Sequence, residues 1–138
     1  MPETEIAPNV FPALYYRDAK KAIDWLCRAF SFERHAVYEA PNGGIAHAEL
    51  KLGPGFVMLG SAKENHFGLV PPMDGKVTQI IYIVIDDPDA HCARAEAAGA
   101  EIVVPLADME YGSREYTARD PEGHVWSFGT YRPKASSD

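Results

Sequence analysis

His47 and Glu49, two residues apart, carry the side chains best suited to chemistry in this 138-residue chain. They lie on a predicted strand, where alternate residues share a face, so imidazole and carboxylate can act as an acid/base pair or as two metal ligands. The plainer reading is the polar face of a hairpin, and the charge alternation favours it. An unusual metal site would recruit Glu115 as a third ligand. Arg114, in the loop Tyr111-Gly112-Ser113-Arg114, can hold an anionic group or pair with Asp108 or Glu110. Asp120-Pro121-Glu122-Gly123 needs no ligand to explain it; it is a turn. His124, just after that turn, reads as a structural histidine on the side of Trp126 and Phe128. His35, His66 and His91 fall in separate elements with no common spacing. There is no Ser-His-Asp order, phosphate loop or Cys/His zinc spacing.

The elements that must position these residues come in two similar series. Phe11–Tyr16 is an opening strand, Asp18 caps a helix over Ala19–Phe30, and Phe32–Glu39 is a second strand. Pro41-Asn42-Gly43-Gly44 turns the chain into Ile45–Leu52, which alternates apolar and polar residues. Gly53-Pro54-Gly55 then leads to a strand over Phe56–Gly60. The second series opens with the β-branched run Thr78–Ile85, which predicts a buried strand. Asp87-Pro88 starts a helix that stops at Gly99. Strands follow at Glu101–Val104, Glu115–Arg119 and His124–Tyr131, and the residues after Tyr131 form a tail.

The two series are copies. Asp18 and Asp87 stand 69 residues apart, and Gly55-Phe-Val-Met-Leu-Gly60 is answered, at an offset of 68, by Gly123-His-Val-Trp-Ser-Phe-Gly129. The unit boundaries are 9–61 and 77–131, joined by a linker over 62–76 that has no periodicity and reads as a flap. The whole of 1–138 reads as one domain. A net charge of −7 argues against a nucleic-acid or anionic-membrane surface. No apolar run is long enough to span a bilayer, and Met1–Pro8 is too short and acidic for a signal peptide. Cys27 and Cys92 sit inside the predicted helices and read as reduced, buried residues. These features predict a soluble cytoplasmic protein.

Two βαβββ series, with Asp120-Pro-Glu-Gly-His124 near the end, resemble the vicinal oxygen chelate superfamily, specifically its glyoxalase/bleomycin-resistance branch. The likeness covers residues 9–131 and is most specific over Tyr111–Gly129. It implies an α+β fold in which two modules form a curved mixed-sheet cleft, and it implies a homodimer. The superfamily's metal enzymes take ligands from the opening and closing strand of each module. In this chain those positions fall on Phe11, Leu59, Ile80 and Ser127, so no metal and no cofactor is expected. A register error of one residue would move them to Val10 or Pro12, Met58 or Gly60, Gln79 or Ile81, and Trp126 or Phe128, among which only Gln79 offers an oxygen ligand. The ligand-binding residues expected in the first module are Phe11, Tyr15, His47, Glu49 and Leu59. In the second they are Ile80, Tyr82, Arg114, Glu115 and Ser127. The resemblance then implies a metal-independent binder of an organic, partly aromatic small molecule, with a drug-sequestering role. The alternative is a lyase or isomerase using His47 and Glu49 as acid/base groups or displaced metal ligands.

Overall fold

A computed structural model describes residues 7–134. Most of the acidic N-terminal stretch and the last four residues of the predicted tail lie outside the described residues. The elements are β1 (Ala13–Tyr16), α1 (Ala19–Phe30), β2 (Glu33–Glu39), β3 (Ile45–Leu52) and β4 (Gly55–Ser61). They are followed by β5 (Ile81–Val84), α2 (Pro88–Ala97), β6 (Glu101–Asp108), β7 (Arg114–Arg119) and β8 (Val125–Gly129). The strands form two four-stranded mixed sheets, ordered β1-β4-β3-β2 and β5-β8-β7-β6. In each, the opening strand runs parallel to the closing one and the other pairings are antiparallel. This is the βαβββ connectivity expected from the repeat.

The chain divides into two compact units, one holding residues up to Cys27 with Ser31–Pro71, the other Arg28–Phe30 with the chain from Pro72 onward. Both helices start where their caps predict. Asp18 accepts a hydrogen bond from the Lys21 amide at 3.2 Å and Asp87 one from the Ala90 amide at 3.1 Å. In the first unit, Leu14, Tyr16, Ala48, Leu50, Val57 and Leu59 are buried on one face of the sheet.

Several boundaries differ from the sequence reading. β6 continues through Pro105 to Asp108. It is an edge strand, where a proline forfeits no ladder bond on its outer side. β5 is shorter than the β-branched run suggests, and Ile80 before it is 56% exposed. The linker is organised around one side chain. Asn65 donates to the Lys63 and Leu69 carbonyls and accepts from the Phe67 and Leu69 amides. Short polar side chains that bond their own backbone build such loops.

In the second unit α2 packs on β6 and β7, and Tyr116, Ala118, Trp126 and Phe128 are buried on one face of the sheet. The last turn of α1 belongs to this core. The Phe30 ring lies 4.7 Å from that of Phe128 and 5.7 Å from that of Trp126. The α2 helix supplies donors for carbonyls that the end of α1 leaves without helical partners. His91 Nε2 sits 2.9 Å from the Phe30 carbonyl, and Arg94 Nε donates to the Arg28 carbonyl at 2.7 Å. A carbonyl can only accept, so His91 carries its proton on Nε2, and Nδ1 accepts from the Tyr116 hydroxyl at 2.6 Å. Burial lowers the His91 pKa and raises that of Tyr116, which keeps imidazole and phenol neutral.

A stability slope follows from the buried imidazole. The unfolded chain takes up a proton on His91 near the ordinary value of about 6.5, whereas the folded chain resists it to lower pH. Stability from this group is therefore complete above about pH 6.5 and declines as pH falls toward the folded value. Urea denaturation from pH 7.5 to 5 should show a steeper loss for the wild type than for His91→Gln, which has no imidazole to charge. Parallel curves would show that His91 contributes nothing to the slope.

Candidate functional site

Strand register decides which side chains share a face, because partners across a ladder point the same way. In the first sheet Ala13 pairs with Met58 and Tyr15 with Gly60, while Glu49 pairs with Met58 and Tyr38 with His47. These residues occupy the face opposite the buried one. Leu59 does not. It pairs with Leu14 and Ala48 and is 3% exposed, so it lies on the buried face, and Met58 takes the place on the opposite face that the sequence assigned to Leu59. The cause is a one-residue slip: Met58 and Ser127 correspond at offset 69, not 68. Phe11 precedes β1 but turns to this same face, its ring edge-on to Phe56 at 6.1 Å. Phe56 in turn pairs with Lys51 across the ladder.

On this face the chemistry gathers around Glu49. His47 Nε2 lies 2.9 Å from one carboxylate oxygen. His35 Nε2 lies 3.9 Å from the other. His35 arrives there because β2 is irregular between Arg34 and Ala36, which leaves it without a partner opposite. A bulge leaves no mark in residue spacing, so the sequence reading placed His35 among unrelated histidines. The rings of Tyr38 and His47 stack at 6.2 Å, and those of His35 and Phe56 meet edge to face at 5.0 Å. The carboxylate thus stands in a row of aromatic and imidazole rings, with both imidazoles partly exposed.

The second sheet presents Tyr82, Glu115, Thr117 and Ser127 on one face. Thr117 and Ser127 hydroxyls are 3.2 Å apart, Tyr82 donates to the Tyr131 carbonyl at 2.6 Å, and Tyr111 donates to Glu115 at 2.8 Å. Burial foremost raises the Tyr82 phenol, and the hydrogen bond to the Glu115 carboxylate raises that of Tyr111. Both phenols are proton donors at neutral pH and not bases. Gly129 makes this possible, since a Cβ there would lie 2.4 Å from Glu115 Cγ and 2.8 Å from the Tyr82 hydroxyl. Ile80 precedes β5. Arg114 lies on the opposite face with Tyr116, and its guanidinium bonds Asp89 of α2 at 2.8 Å and Asp108 at 3.1 Å. It holds β6 and β7 to the start of α2 and is removed from the group containing Glu115. His124 is buried, as its structural reading requires.

Metal ligation can be tested on residue types. At the opening and closing strands, register sets Ala13 beside Met58 in the first sheet and Tyr82 beside Ser127 in the second. Alanine offers no donor, a thioether is a poor ligand for hard cations, and a protonated phenol or neutral serine adds little. These residues do not fit a divalent metal. Among the described residues no three His, Cys, Asp or Glu side chains converge to hold one. Around Glu49 the carboxylate lies between the two imidazoles, which face its different oxygens.

Residues 10–128 match the family model of the Glyoxalase/Bleomycin resistance protein/Dioxygenase superfamily. The chain belongs to this superfamily. Among its members, this glyoxalase-superfamily chain is 33% identical over 127 residues to an uncharacterized protein of Mycobacterium tuberculosis H37Rv, covering 90% of this chain and 75% of that one. The crystal structure of TioX from Micromonospora sp. ML1 is similar, with a TM-score of 0.73 and 35% identity, over 94% of this chain and all of TioX. The fosfomycin resistance protein FosX of Listeria monocytogenes, solved with Mn(II) and sulfate, has a TM-score of 0.67 at 13% identity over 93% and 95% of the two chains. That last likeness is one of fold alone. No described helix of this glyoxalase-superfamily protein is long and apolar enough to cross a membrane.

Proposed function

We propose that the protein binds an organic, partly aromatic small molecule without a metal, as a drug-sequestering member of its superfamily. The observation that supports this reading is the residue set at the opening and closing strands: neither the expected positions Phe11, Ile80 and Ser127 nor the ladder partners Ala13, Met58 and Tyr82 offer donors suited to a divalent cation. What remains on the sheet faces is aromatic and apolar surface with a few polar groups, the composition of an organic-ligand site. Purified protein should carry no stoichiometric zinc, nickel, manganese or iron. In the presence of chelator, a thermal-shift screen of glycopeptides, aromatic antibiotics and keto acids should raise Tm by several degrees for at least one class. A ligand at a hundredfold excess over Kd adds about 2.7 kcal/mol. Stoichiometric metal that disappears when His47 and Glu49 are both replaced by alanine would overturn the reading.

The 2.9 Å contact of His47 with Glu49 favours one second reading, a lyase or isomerase. A carboxylate on Nε2–H leaves Nδ1 with a free lone pair, the arrangement of a general base held in one tautomer. Exchange of the α-protons of a keto acid in D2O, followed by NMR, tests it. Exchange no faster than in buffer removes this reading.

A further inference from the structure

We propose that the face of the first sheet around Glu49 receives a planar organic cation, a ring system bearing a protonated or quaternary nitrogen. The proposal rests on the small-molecule reading and narrows its ligand class. Four observations converge on it. The Glu49 carboxylate is one-third exposed, and among the described residues its ion-pair partners are only His47 and His35, with no lysine or arginine. Aromatic rings flank it on both sides: Tyr38 stacked on His47, and Phe56 with Phe11 beyond His35. Tyr38 and Phe11 are exposed, at 60% and 40%, so their rings are open to a flat partner.

The third observation is the chain's own cation. The Lys51 ammonium sits 6.0 Å from the Phe56 ring centroid, at the reach of a cation–π contact. The rings of this face therefore meet a cation at cation–π distance, and because Lys51 occupies Phe56, the open ring for a ligand cation is Tyr38. The fourth is charge: the chain carries a net −7, which raises the local concentration of cations and repels anions. A planar anion would meet both Glu49 and that field. A neutral aliphatic molecule would gain nothing from the carboxylate or from the ring quadrupoles. A planar cation gains from all three.

The test uses two dyes of similar size and opposite charge, the acridine cation proflavine and the anion 8-anilinonaphthalene-1-sulfonate. Each is titrated by fluorescence into the full chain at low ionic strength with EDTA present. Proflavine is expected to bind at least tenfold more tightly than the anion. Glu49→Gln, which keeps the shape of the side chain, should weaken proflavine about tenfold and leave the anion unchanged or tighter. Tyr38→Ala, at an exposed position, should weaken proflavine severalfold with Tm unchanged. Unaltered proflavine affinity in folded Glu49→Gln, or preference for the anion, overturns the proposal while leaving the small-molecule reading intact. Zinc that displaces proflavine stoichiometrically once EDTA is omitted would also overturn it, in favour of a metal site. If neither dye binds, the proposal fails, and the broader reading fails with it only if the thermal-shift screen is empty too.

Discussion

Replacing Asp120 by alanine is expected to cost about 3–5 kcal/mol of folding stability, because three donors in and around the core lose the carboxylate that accepts from them. Asp120 is 4% exposed. One carboxylate oxygen accepts from the Glu122 and His124 amides at 3.1 and 3.0 Å, and the other from the Trp126 indole at 3.0 Å. His124 and Trp126 are themselves buried. Unpaired buried donors cost about 1–3 kcal/mol each. The turn over Asp120–Gly123 would loosen together with the start of β8. Asp120→Asn should fall between the two, since its amide oxygen can serve one side while its NH2 faces another donor. Urea denaturation of the three proteins checks the order. A loss under 1 kcal/mol in the alanine variant would show that the turn holds without its carboxylate.

Phe30→Ala should be comparably damaging, at about 3–5 kcal/mol, the range for emptying a large aromatic site in a packed core. Phe30 has no exposed surface and is ringed by Phe128, Trp126 and His91. The loss extends beyond cavity formation. The ring seats the last turn of α1, whose carbonyls at Arg28 and Phe30 are bonded by Arg94 and His91. Removing the ring therefore also loosens two side-chain caps of a helix end. Against a typical total of about 5–15 kcal/mol, such a change leaves little folded protein in reserve. Phe30→Leu should lose less than half as much, since most of the volume is kept. Equal losses for the two variants would mean that aromatic geometry, and not volume, governs the site.

Sequence was most legible where local chemistry decides structure. Asp18 and Asp87 marked both helix starts because a cap acts through backbone amides three residues away, and Gly99 marked the second helix end by its positive φ of 94°. The alternation in Ile45–Leu52 placed His47 and Glu49 together for the same local reason. Legibility failed where one residue of register counts. Gly55–Gly60 and Gly123–Gly129 differ in length by one residue, and aligning them from their first glycines paired Leu59 with Ser127. The ladders match them from their last, Gly60 with Gly129, so the side chains exchanged faces. His35 shows the same limit, since only pairing to β3 reveals that β2 is irregular beside it. Arg114 was ambiguous because its partner Asp89 lies 25 residues away, on a helix whose packing no spacing encodes.

Shift mapping of the 15N-labelled protein with proflavine reports where a small molecule sits on the first sheet. With EDTA present, the largest amide changes are predicted at Tyr38, His47, Glu49, Phe56 and Met58, saturating together at one affinity. Changes confined to α1 and α2 or to the loop around Asn65, or none at millimolar dye, would mean that this face of the first sheet is not the binding site.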